Sequence, residues 1–242
     1  MAEFTLPTEM VDLPSQGKLY PEGHPLADGK IEMKYMTAKE EDILSNQSYI
    51  QNGTVIDKLL KSLIVTKFDF NDLLIGDKNA IMVAARVLGY GPNYDFPTMD
   101  GVETVDLSLL DNKPLHKDVE NVTGNNFSFT LPASENEITF KLLTHGDEKK
   151  IERELEGLRK INKENSPEVS TRLKYIITSV NGDSDPPTIR KFVDQALLAR
   201  DSRALREYIN QIQPDVDLTF SPKDSTITRA IPIGIGFFWP DA

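Results

Sequence analysis

A chain of 242 residues with 39% hydrophobic and 27% charged side chains has the make-up of a soluble globular protein, long enough to bury a real core. Its 27 basic and 38 acidic residues give a formal charge of -11, which argues against a general nucleic-acid binder, because such a protein needs a net basic face to displace counterions from phosphate. Cysteine is absent, which excludes disulfides, thiolate nucleophiles and a thiolate zinc site.

No apolar run approaches the ~20 residues that span a bilayer. Met1 to Val11 carries acidic residues and no basic n-region, so neither a membrane partner nor a signal peptide is expected. Residues 1–36 are rich in Pro and Gly (Pro7, Pro14, Gly17, Pro21, Gly23, Pro25, Gly29) and read as an extended N-terminal segment ending in a short strand, Lys30–Met36. Thr37-Ala-Lys-Glu40 has the spacing of a capping box and starts a helix. A second helix follows Thr54, with Val55, Leu59, Leu60, Leu63 and Ile64 on one face. A third opens at Asp77 as N-cap and stops at Gly89, burying Ile81, Val83, Ala84, Val87 and Leu88. Residues 37–89 thus form an N-terminal unit of three helices.

Residues 90–143 change character, with short alternating runs at Val102–Leu107, Phe127–Leu131 and Glu137–Leu142 that predict β-hairpins. Helices resume at Asp147, where Ile151, Leu155, Leu158 and Ile161 mark an apolar stripe. Val169–Val180 reads as another helix. Asp185-Pro-Pro-Thr188 introduces a third through Phe192, Val193, Ala196 and Leu197, and Asp201–Gln211 is a fourth. These make a C-terminal helical unit, 144–213. In 214–242 two strands, Val216–Phe220 and Ile227–Phe238, flank a turn at Ser221–Asp224. The fold class is therefore α+β: two helical units linked by a β-hairpin module formed from the middle and the C-terminal end of the chain.

A search for chemistry returns no catalytic candidate. His24, His116 and His145 sit in separate loop-like segments without a ligand partner at i+4, and read as isolated surface histidines. No phosphate-binding glycine loop and no nucleophile elbow is present. Glu40-Glu41-Asp42, Glu152, Glu154, Glu156 and the Asp57–Lys61 spacing read as solvated helix faces. Two features stand out. Phe237-Phe238-Trp239-Pro240 holds the only tryptophan; it reads as core anchoring, or alternatively as a docking surface, since aromatic side chains give large interface contacts. Arg200, Arg203 and Arg206 place three cations on one helix of an acidic protein. They read as partners of Asp201 and Glu207, or alternatively as a contact for an acidic partner. Phe237, Phe238, Trp239, Arg200, Arg203 and Arg206 are thus the candidate partner-binding residues.

Several motifs in one order resemble the T4-like phage baseplate hub assembly proteins: Leu13-Pro-Ser-Gln-Gly-Lys-Leu-Tyr-Pro21, Met36-Thr-Ala-Lys-Glu-Glu-Asp-Ile-Leu44, Gly76-Asp-Lys-Asn-Ala80 and Arg86-Val-Leu-Gly-Tyr-Gly91. Val105-Asp-Leu-Ser-Leu109, Asn112-Lys-Pro-Leu115, Phe129-Thr-Leu-Pro132, Phe192-Val-Asp194, Ala199-Arg-Asp-Ser-Arg203 and Phe237-Phe-Trp-Pro-Asp241 continue the resemblance, which runs from about residue 12 to the end. It implies a non-enzymatic assembly factor or chaperone that binds other phage tail and baseplate hub proteins in the host cytoplasm. The alternative is a structural hub subunit retained in the virion. No oligomeric state follows from it. The resemblance also implies a C-P-x-C pair in each of two hairpins sharing one zinc. Here the second pair falls at Ser221-Pro222-Lys223-Asp224 and the first near Phe96-Pro-Thr-Met99, without the sulfurs, so no cofactor is expected. If the hairpins once shared a metal, 91–110 and 216–236 should pack side by side, with Phe220, Phe237 and Trp239 in place of the ion.

Overall fold

The computed structural model describes residues 6–98, 101–161, 167–221, 228–233 and 235–238. Strand β1 (Thr8–Asp12) pairs antiparallel with β2 (Lys30–Lys34). The turns between them bring two backbones so close that a Cβ on Gly17 (φ +78°) would lie 2.1 Å from the Ala27 carbonyl oxygen, so only glycine fits. Helix α1 (Ala38–Leu44) begins at the capping box: the Thr37 N–H and hydroxyl donate to one Glu40 oxygen at 3.0 and 2.6 Å. Short α2 (Gln47–Gln51) is capped by Asn46, whose side chain accepts from the Tyr49 N–H at 3.1 Å. Helix α3 (Val55–Leu63) buries Val55, Leu59, Leu60 and Leu63 of the predicted stripe, while Ile64 lies past its end as an extended, half-buried C-cap. Helix α4 (Ile75–Tyr90) is stopped by Gly91 at φ +85°.

Strands β3 (Asn93–Thr98) and β4 (Gly101–Asp106) form a hairpin with Tyr94 opposite Val105. After the single turn of α5 (Lys117–Glu120) come β5 (Phe127–Thr130) and β6 (Glu137–Phe140). Then follow α6 (His145–Ile161), α7 (Glu168–Ile176), β7 (Ile177–Val180), α8 (Pro186–Gln195) and α9 (Ala199–Ile212). The pair β8 (Thr219–Phe220) and β9 (Arg229–Ala230) and a 3₁₀ turn, Ile235–Phe238, complete the described chain. The architecture is α+β, with small antiparallel sheets of order β1-β2, β3-β4, β5-β6-β7 and β8-β9.

The structure corrects several sequence expectations. The N-terminal helical stretch contains α2 besides the three helices predicted. Asp77 is not an N-cap: α4 starts two residues earlier, at Ile75, and Asp77 lies inside its first turn. The predicted helix Val169–Val180 is split, because Ile177–Val180 pairs with β6 and becomes the third strand of its sheet. Helix α8 ends at Gln195, before Ala196 and Leu197. Ile161, expected in the apolar stripe of α6, is 85% exposed. The predicted strand Ile227–Phe238 is reduced to Arg229–Ala230, and its aromatic end is a 3₁₀ turn.

Apolar side chains from Leu13 to Phe238 form one continuous core. The middle of the chain meets the segments after α9 at two places. Asn112 bridges to Val216, flanked by Lys113 N–H to the Asp215 carbonyl and Asp217 N–H to the Asp111 carbonyl, both 2.8 Å. Tyr94 of β3 meets Phe237 edge to face at 4.8 Å between ring centroids. Phe237 and Phe238 are fully buried, each contributing about 1.5–3 kcal/mol by area removed from water.

Candidate protein-binding site

The first turn of α4 is where separate parts of the chain converge. A Cβ on Gly76 would lie 1.8 Å from the Pro214 carbonyl oxygen, so the chain after α9 is seated directly on this helix. Asp77, buried, accepts from the Ser15 N–H at 2.9 Å, the Ser15 hydroxyl at 2.7 Å and the Tyr20 hydroxyl at 2.7 Å. Burial pushes its pKa up despite these donors. The Tyr20 oxygen in turn accepts from the Leu74 N–H at 3.2 Å and thereby caps α4. Asn79 donates to Asp215 at 3.0 Å. Lys78 reaches the opposite way, to Asp57 on α3 at 3.0 Å.

Asp57 gathers a charged cluster: His145 Nε2 at 2.9 Å, Lys78 Nζ at 3.0 Å and Lys149 Nζ at 3.3 Å, with Lys78 Nζ also 3.2 Å from His145 Nδ1. Burial alone would raise the Asp57 pKa, but the imidazole of His145 at 2.9 Å and the charge of Lys78 outweigh it and hold the carboxyl well below its usual range. The cluster edges a cleft of about 430 Å³ and ties α3, α4 and α6 together. Asp57 therefore does not sit on a solvated face opposite Lys61. Nor is His145 an isolated surface residue: it is buried, edge to face with Phe70 at 4.7 Å. His24, half-buried, stacks on Tyr20 at 4.9 Å, and His116 caps α5 by accepting from the Asp118 N–H at 3.3 Å. Both ring nitrogens of His145 face charged partners. The geometry of the cluster suits cross-linking of helices.

Two more carboxylates expected on solvated faces are bound. Glu40 is fully buried and takes the Lys34 ammonium at 3.0 Å and the Ser62 hydroxyl at 2.6 Å. Burial opposes its charge, but the donors from Ser62, Thr37 and Lys34 prevail and lower its pKa to about 2. Glu154 accepts both terminal nitrogens of Arg190 at 2.8 Å and the Tyr175 hydroxyl at 2.8 Å, and Arg190 lowers its pKa to about 2.

The six candidate partner-binding residues separate into two groups. Phe237 and Phe238 belong to the core, not to a docking surface, and Trp239 lies outside the described residues. Arg200, Arg203 and Arg206 are exposed on α9. Arg203 pairs with Glu207 at 2.7 Å. Asp201, expected to pair with an arginine, is instead buried and accepts the Ala133 and Ser134 N–H groups at 2.7 and 3.1 Å. Arg206 lines a second cleft, also about 430 Å³, between α7 and α9. Its floor is Leu143, Leu173, Ile176 and Ile209, and half-exposed Val169 stands at its edge. Lys141 beside it is held by Asp147 at 2.7 Å, and Arg172 by Glu148 at 2.6 Å and Glu168 at 3.5 Å. Arg206 has no carboxylate within 4.0 Å among the described residues; its Nε donates to the Ser202 carbonyl at 3.2 Å. Neither cleft was legible in the sequence, because each is assembled from segments far apart along the chain.

The place where Tyr94 meets Phe237 does not fit a zinc ion. Tyr94, Leu107, Phe237 and Phe238 bury apolar rings and methyl groups there, no cysteine exists in the chain, and among the described residues no cluster of three His, Asp or Glu side chains could hold a metal. Met99 and Pro222–Asp224 of the proposed pairs lie outside the described residues. No helix among the described residues is long and apolar enough to cross a membrane. Comparison with known proteins finds no matching family model, no matching curated protein and no matching solved structure.

Proposed function

We propose that the chain is an assembly factor for the baseplate hub of a T4-like phage tail, working without catalysis by binding other hub proteins. What supports this reading is the resemblance of the ordered set of sequence motifs to the baseplate hub assembly proteins. Their residues here hold the fold together: Ser15, Tyr20, Gly76, Asp77, Lys78 and Asn79 all meet at the first turn of α4. A motif set distributed over a scaffold, with its charged clusters committed to ion pairs, suits a protein whose work is surface complementarity. The cleft between α7 and α9 supplies a surface of the needed kind, apolar inside with a cation at its lip.

The test is affinity capture of the tagged chain from infected cells, with partners identified by mass spectrometry. Baseplate hub proteins recovered at stoichiometric yield are the expected result; their absence overturns the reading. Mass spectrometry of purified particles then separates an assembly factor, absent from the virion, from a hub subunit retained at fixed copy number.

A further inference from the structure

We infer that the cleft between α7 and α9 is a docking site for a partner protein's acidic segment, taking a large apolar side chain into its floor and a neighbouring carboxylate onto Arg206. This rests on the proposed role in binding proteins and names the chemistry recognised. The floor of Leu143, Leu173, Ile176 and Ile209 favours an apolar side chain, while Asn210 and Gln213 line the same cleft beside Arg206 and can pair polar groups that flank it. At about 430 Å³ the cleft has room for a large apolar side chain.

The charge pattern fixes the second half. Lys141 is matched by Asp147, and Arg172 by Glu148 and Glu168, so these charges hold the walls together. Arg206, on the accessible side of α9, is the one of this cleft's three cations without a carboxylate partner among the described residues, in a protein whose formal charge is -11. A carboxylate on the ligand is drawn to that position, which gives the docking its direction. Val169 continues the apolar floor out of the cleft while remaining 47% exposed, a ledge that an extended segment covers and an enclosed small molecule leaves bare. An arginine at such a lip also presents a fork that matches a carboxylate bidentately.

The experiment uses the full chain and a terminally blocked, fluorescein-labelled octapeptide with a central Phe-Leu pair followed by Asp-Glu. A second peptide carries Asn-Gln in place of Asp-Glu. Anisotropy gives affinities, and NMR shifts of the Val169, Leu173 and Ile209 methyl groups locate binding. The acidic peptide should bind about tenfold more tightly than the neutral one, the scale of one charge-assisted contact. In Arg206→Gln, with its melting temperature unchanged, that advantage should vanish, while Val169→Ser should weaken both peptides. Equal binding of the two peptides, an advantage that survives Arg206→Gln, or shifts elsewhere on the surface would overturn the inference. If the peptides fail while hub proteins are still captured by the chain, the docking site falls and the assembly role stands. If the peptides behave as stated but no hub protein is captured, the assembly role falls and the site stands.

Discussion

Asp77 shows how much depends on single residues. Its carboxylate satisfies three donors in the interior, and one of them, the Tyr20 hydroxyl, also caps α4. Asp77→Ala strands those donors, and denaturant unfolding should show a loss of about 3 kcal/mol or more. Gly76→Ala should cost a comparable amount, because the new methyl group meets backbone and not a flexible side chain. Glu40 makes a prediction in pH. Its folded pKa of about 2 lies below the ordinary 4.5, so the stability it contributes is full above about pH 4.5 and lost as pH falls towards 2. The stability gap between the wild type and Glu40→Gln should therefore be wide at neutral pH and close through that acid window. A gap independent of pH would mean that the depressed carboxyl is not what stabilises this corner.

At the scale of elements, legibility in the sequence followed how local the deciding interaction is. The capping box at Thr37 and the stripe of α3 are complete within a few residues, and both were readable. Val169, Leu173, Ile176, Ile177 and Val180 also repeat at helical spacing, yet Ile177–Val180 becomes β7. Pairing with β6 decided that, fixed by contacts such as Thr139 Oγ1 to Thr178 Oγ1 at 2.7 Å, across 39 residues of sequence. The start of α4 misled for a similar reason: an aspartate near a helix start resembles an N-cap, but its donors lie about sixty residues upstream. Asp57 and His145 were unreadable as partners because 88 residues separate them. Their cluster is what joins α3 and α4 to α6. Asp57→Ala leaves Lys78 and Lys149 facing each other without a counter-charge and should cost about 3 kcal/mol. A double-mutant cycle with His145→Ala should return a coupling of about 1 kcal/mol or more; additivity would show that the two do not act together.

For the molecule as a whole, the β-rich middle and the C-terminal end meet through Tyr94 and Phe237, so the chain's end closes on its middle. Phe237→Ala should cost about 3–4 kcal/mol in thermal unfolding, as for other fully buried aromatic side chains. That placement also moves the search for a partner away from Phe237 and Phe238 and towards Arg206, a choice the sequence left open. The proposed role of this chain is to promote hub assembly by binding. Its most direct measurement is the sedimentation profile of hub intermediates from cells infected with a phage that cannot make the chain. Hub proteins should remain as unassembled species, and supplying the chain should restore the complete hub. A normal yield of complete hubs without the chain would contradict the proposed role.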